Sequence, residues 1–278
     1  MKKGLVLKVF CLWIACAAII CTARAYAETA ISKDLREQIE KILDRVEIDG
    51  PESAQLVSDL KAGKASYMPE LMAPVAPEKY QQEARQRVMT GIYLMDFTYA
   101  AVFDQAKDSA EYARAIYSLA DKLGFPVPKI EKQIRDTIAH IDDADADKRL
   151  EELAKAIDED DSWKSMISSP RGVILMSDLL YGWMLEGIYI ASELAAQSNY
   201  RPDFVKVLND HKYYLKSYKE LLDQFLDKPE LASVVRTQEH LDTIKALSGP
   251  LSSAGPMSRG QVEEIRKIAA NARNQIVN

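Results

Sequence analysis

Apolar residues recur at three-to-four spacing along most of the chain, the pattern of amphipathic helices rather than strands. Residues 32–46 carry Leu35, Ile39, Ile42, Leu43 and Val46 on one face, and Gly50-Pro51 ends the run. A second short helix is expected over 52–62. Residues 68–77 contain Pro69, Pro74 and Pro77, which keep the backbone out of the helical region, so this stretch reads as a strap. Further helices are predicted over 78–104, over 108–123 with Gly124 as a left-handed cap, and from Pro126 and Pro128 to 141. Others are expected over 145–157, 171–197, 202–226, 229–247 and 258–277. Residues 248–257 read as a linker. Val262, Ile265, Ala269, Ala272 and Ile276 form a stripe by which the last helix should pack back on the body. Its Glu263 and Glu264 near the start, and Arg266, Lys267 and Arg273 later, complement the helix dipole. No segment reads as a convincing strand.

Two of these helices lack a polar face. The sixteen residues 88–103 contain one charge, Asp96, and the fourteen residues 179–192 contain one, Glu186. A helix apolar around its circumference belongs in the centre of a bundle or in a membrane. Asp178 within the second apolar length, and the lack of cationic flanks, favour the bundle. At an offset of 90 residues the segments 93–101 and 183–191 share an aromatic residue, two Met/Leu, an acid, two spacers, Tyr, a spacer and Ala. Tyrosine-bearing amphipathic helices follow each, with Tyr112 and Tyr117 after the first and Tyr213, Tyr214 and Tyr218 after the second. The expectation is an all-α, multi-helix bundle of helical hairpins around two buried central helices, with an internal duplication weighed at even odds against shared core composition.

The segments Gly91-Ile92-Tyr93 through Tyr99-Ala100, and Gly182-Trp183 through Tyr189-Ile190-Ala191, resemble an uncharacterised group of exported, all-helical bacterial proteins. The resemblance covers about 78–197. It implies export and a helical fold, and no catalytic residue. Some members of that group look like lipoproteins; this chain lacks a well-placed lipid-attachment cysteine.

The N-terminus explains the expected location. Lys2, Lys3 and Lys8 precede a twelve-residue apolar run over 9–20, and Ala25-Tyr26-Ala27 supplies a small-x-small cleavage pattern before Glu28. Residues 1–27 are therefore read as a cleaved signal peptide, because a permanent membrane span takes roughly 20 apolar residues. Residues 28–278 are read as one all-α domain, periplasmic or secreted: N-terminal helices and strap over 28–77, core over 78–247, then linker and final helix. A lipoprotein is the weaker reading, because Cys21 follows Ile20 and Cys16 has Trp13 three positions earlier. All three cysteines, Cys11, Cys16 and Cys21, leave with this segment, and with them go disulfides, thiol nucleophiles and thiolate metal sites. Four basic residues and no acids leave too, taking the formal charge from −6 to −10. An acidic surface of that kind excludes a nucleic-acid partner.

Asp96, Tyr99, Glu186 and Tyr189 form the candidate polar site. Each tyrosine lies three residues beyond its acid on the same face. Either the hydroxyls join the acids in a local network, or the two acids meet across the bundle axis. A satisfied core network that fixes register is weighed above a metal or ligand site, since no Glu-x-x-His pair of the di-metal bundle type is present. His140, His211 and His240 stand singly on different helices and read as surface or edge residues. The acidic run from Asp142 fails as a calcium loop, with Lys148 at the sixth position from Asp143 and Ala154 at the twelfth. No nucleophile elbow, phosphate loop or dinucleotide fingerprint appears, so no catalytic group and no cofactor is assigned. The sequence reading is an exported protein in noncatalytic binding or scaffolding, its partner an envelope protein or an apolar small molecule. An enzyme or metal-binding protein using Asp96 and Glu186 is the alternative.

Overall fold

The computed structural model describes residues 31–49, 53–123, 136, 140, 167–226, 228, 237–251 and 257–278. Among these residues the chain is all α-helical and arranged as a multi-helix bundle. The helices are α1 Lys33–Asp49, α2 Ser53–Ala62, α3 Glu83–Val102, α4 Ala106–Lys122, α5 Pro170–Gln197, α6 Pro202–Asp210, α7 Lys212–Asp223, α8 Thr237–Leu251 and α9 Arg259–Val277. Residues 1–27, expected as a signal peptide and holding the three cysteines, lie outside the described residues. So do Gly124, nearly all of the helices expected over 126–141 and 145–157, and the acidic runs.

The two helices without a polar face are the centre. α3 and α5 run side by side in the same direction, and α4 returns along α3. Around them α2 and α6 pack on one flank, and α9 lies on α5 and α8. α1 covers α7 through Leu35, Ile39 and Ile42. Surrounded in this way, α3 and α5 have almost no position facing water, which is why their sequences lack the polar stripe of α4, α7 and α9. α5 is long and apolar enough to cross a membrane, yet 89% of its most apolar stretch is buried inside the bundle.

The closeness of the central pair is set by two glycines. A Cβ on Gly91 would stand 2.0 Å from the Leu179 carbonyl oxygen, and one on Gly182 would stand 2.1 Å from that of Val88. The contacts are reciprocal: each glycine meets the carbonyl three residues before the other. Only the absence of a side chain lets the backbones approach this far.

Three boundaries differ from the sequence reading. The helix expected from residue 78 starts at Glu83; Pro77–Lys79 is a single 3-10 turn, and Tyr80 is extended. Tyr80 is drawn inward, with its hydroxyl donating to the Val277 carbonyl at 3.3 Å. The helix expected over 202–226 is divided at His211, whose backbone N–H bonds Leu208 O and whose ring is only 2% exposed. The linker expected over 248–257 begins later, because α8 continues through Pro250 to Leu251, which is buried. Gln261 Nε2 bonds the Pro250 carbonyl at 3.0 Å, so the helix end is met by a side chain from α9. The start of α9 follows the sequence, with Ser258 and Gln261 forming a capping box.

The chain leaves α4 and re-enters α5 at neighbouring points. Arg171 Nη2 donates to the Leu123 carbonyl at 2.7 Å, and the Ile31 N–H donates to Ser168 O at 3.4 Å.

Gly91→Ala and Gly182→Ala should each destabilise the fold in urea denaturation by about 1–3 kcal/mol or more, because the methyl drives into backbone that cannot yield. That loss outweighs the ~1 kcal/mol that alanine gains in helix propensity. Gly260→Ala, with its nearest neighbour at 3.9 Å, should be neutral or slightly stabilising. Wild-type stability in both central variants would refute the close crossing.

Candidate functional site

Tyr93, Asp96 and Tyr99 lie three residues apart and so form one line along α3. This line faces residues 68–77, the segment whose prolines deny it a helix. Tyr99 Oη accepts the Met68 N–H at 3.1 Å, and Asp96 Oδ2 accepts the Ala73 N–H at 3.0 Å. Tyr93 Oη accepts the Ala76 N–H at 3.1 Å and donates to the Pro74 carbonyl at 2.9 Å. From α4, Tyr112 donates to the Ala73 carbonyl at 2.6 Å. A strap without a ladder of its own still needs partners for its backbone groups, and these side chains supply them.

The structure brings Asp96 and Glu186 together, both completely buried and within hydrogen-bonding reach of each other. A third charge completes the site. Arg273, from α9, donates Nε to Glu186 Oε2 at 2.6 Å and Nη2 to the Leu71 carbonyl at 3.0 Å. Its guanidinium lies 4.4 Å from the centre of the Tyr189 ring. Thus Tyr99 and Tyr189 serve the acids indirectly, one holding the strap and the other supporting the arginine. Arg273, one of the basic residues in the later part of α9, is thus buried on Glu186.

Electrostatics follow from this geometry. Burial pushes the Asp96 carboxyl well above the usual range, with the neighbouring Glu186 charge adding to it, while Arg273 and the Ala73 N–H oppose the shift. Burial raises Glu186 as well, and Arg273 pulls it back. Tyr99 is pushed up to about 12 by burial, so its hydroxyl stays protonated. Among the described residues, Asp96 Oδ1 and Glu186 Oε1 have no N–H or O–H donor.

A second polar cluster lies nearer the N-terminal ends of the same helices. Arg87 Nε donates to Asp178 Oδ2 at 2.7 Å, and its Nη1 reaches Glu83 on the surface at 3.1 Å. Tyr218 Oη lies 3.2 Å from Ser177 Oγ and 3.0 Å from His240 Nδ1, and His240 stacks on Tyr181 with centroids 3.8 Å apart. Sequence reasoning missed this cluster, although Asp178 inside an apolar run and Arg87 at the edge of another, 91 residues apart, were its signal. His211 and His240 are each 2% exposed and are not the surface or edge residues the sequence suggested. The core recruits both: His240 onto Tyr181, and His211 through Nδ1 to the Val207 carbonyl at 2.9 Å. Burial lowers His211 below its ordinary range and keeps it neutral.

Among the described residues no group of three or more His, Cys, Asp or Glu side chains is placed to hold a metal ion. One apolar void is lined by residues including Ile42, Trp183 and Tyr214, and another by Leu60, Met95 and His211. Both are small, with room for no more than a few waters, and Asp96 and Glu186 line neither. The acid pair, buried from solvent, joins the strap, the central helices and α9 through charge balance and hydrogen bonds. No protein-family description, curated protein or solved structure matches this chain.

Arg273→Leu should cost about 3–5 kcal/mol in chemical denaturation, since it leaves two buried acids without a cation. Tyr112→Phe, which strands only the Ala73 carbonyl, should cost roughly 1–3 kcal/mol. A smaller loss for the arginine than for the tyrosine would contradict the arrangement.

Proposed function

We propose that this chain is an exported, noncatalytic helical protein that binds or scaffolds a partner in the cell envelope. The observation that carries the reading is how Asp96 and Glu186 are used: both are fully buried, and their described partners are the chain's own strap and C-terminal helix. A catalytic or metal-binding acid must meet a substrate or ion, and these two have no surface open to solvent and line neither of the two voids described above. Export is supported by the basic start, the short apolar run and the Ala25-Tyr26-Ala27 pattern, and the absence of cysteine after residue 21 leaves the remaining chain to hold by packing alone. Its acidic surface suits a soluble periplasmic or secreted protein rather than one lying on anionic lipid. What such a bundle offers a partner is its grooves between helices, which fit a partner helix or an apolar small molecule.

Two measurements test this. Expressed with its own leader, the protein should be recovered soluble from the envelope fraction with Glu28 as its first residue on N-terminal sequencing; a chain retained in the cytoplasm, or one beginning at lipidated Cys16 or Cys21, overturns the location. Elemental analysis of the purified protein should show no stoichiometric transition metal. A metal bound one to one and lost in Glu186→Gln would overturn the noncatalytic reading in favour of a metal site at the acid pair.

A further inference from the structure

Two fully buried acids and one largely buried guanidinium share the centre of the bundle, and the charges balance only if one acid carries a proton. Glu186 is the one bound to Arg273, so it is the carboxylate. Asp96 has one oxygen taken by the Ala73 N–H and the other, Oδ1, without a donor, as is Glu186 Oε1. A proton on Asp96 Oδ1, donated to Glu186 Oε1, satisfies both orphaned oxygens at once.

We propose that this single proton between Asp96 and Glu186 fastens a latch, and that its loss frees the strap 68–77 together with α9 while the α3–α5 core stays folded. The strap and α9 are fastened at the same place. Asp96 holds Ala73, Glu186 holds Arg273, and Arg273 in turn holds Leu71. At the far end of α9, Lys79 and Tyr80, which directly follow the strap, bond the Val277 carbonyl, so strap and helix are joined at both ends; Arg85 of α3 bonds the Ile276 carbonyl, a contact that the opening must also break. The acid pair also spans α3 and α5, but their contact rests besides on the Gly91 and Gly182 seam and on Arg87–Asp178, which the proton does not touch.

The proton's surroundings make it the group that titrates. Facing the pair are Tyr93 and Tyr99 of α3, Tyr112 of α4, Tyr189 of α5, Tyr67 before the strap and Arg273 of α9. Tyr80 and Glu70 stand behind the first two, and Glu193 and Arg266 beside Tyr189. Burial holds all these phenols above their ordinary range, so they stay neutral. His211, packed against Gly187, acts on the acid side, because burial keeps it neutral.

The sign follows from linkage. The closed latch keeps a proton that the opened one, with both carboxyls in water, gives up above the ordinary carboxylate range. Opening should therefore rise with pH by up to about tenfold per unit, from that range until the closed pair itself ionises. Native-state hydrogen exchange of the intact protein, from about pH 5 to about pH 9 and corrected for intrinsic exchange, reads this opening. The expected result is falling protection at Met68, Ala73, Ala76 and the amides of α9, with those of α3 and α5 unchanged. Asp96→Asn replaces the protonated acid by an amide that donates to Glu186 and accepts from Ala73, so it should fold and lose the pH slope. A flat profile in the wild type overturns the proposal. So does equal loss of protection in core and α9, a slope that persists in Asp96→Asn, or failure of that variant to fold.

Discussion

A buried guanidinium dictates much of how this chain closes. Arg273 comes from the last helix, Glu186 from the fifth, Asp96 from the third and Leu71 from the strap, and each leaves the others with an unmet charge or hydrogen bond if it is missing. Taking these groups out of water costs several kcal/mol per ion, which their mutual attraction returns only when the geometry is complete. The consequence is cooperative. The strap cannot be placed without α3, nor α9 without the strap and α5, so parts distant in sequence are committed to one arrangement.

The centre has a second layer of the same kind. Arg87–Asp178 spans α3 and α5 on one side of the glycine seam, and Asp96–Glu186 spans them on the other. Apolar helix faces alone tolerate sliding, since leucine packs nearly as well one turn along. One ion pair, one acid-to-acid hydrogen bond and a crossing that admits only glycine do not: a slip of one turn, about 5.4 Å, would strand these buried polar groups and bring Cβ atoms against backbone. Specificity of register is thus carried by the few polar residues of an otherwise apolar pair.

Much of this was legible in the sequence for physical reasons. Helix content, the burial of 88–103 and 179–192, the strap and the inward packing of the last helix all follow from local spacing and proline positions, which read the same whatever the neighbours are. Asp96 and Glu186 stood out because a lone acid in an apolar run must have a partner. Arg273 did not, since on a helix already rich in Arg266 and Lys267 nothing local separates a buried guanidinium from a solvated one. His211 and His240 escaped for a related reason: one is covered beside Gly187 and the other against Tyr181 and Tyr218, residues met only once the helices pack. The break at His211 was likewise invisible, as no glycine or proline marks it.

The hydrogen bond from Arg171 to the Leu123 carbonyl pins together the two points where the chain departs from α4 and enters α5. A polymer whose two ends are fixed side by side loses nearly the same closure entropy over a wide range of lengths, because that cost grows only with the logarithm of the loop. The bond between Arg171 and Leu123 thus sets the span that the chain from Leu123 to Ile167 has to close, whatever its length.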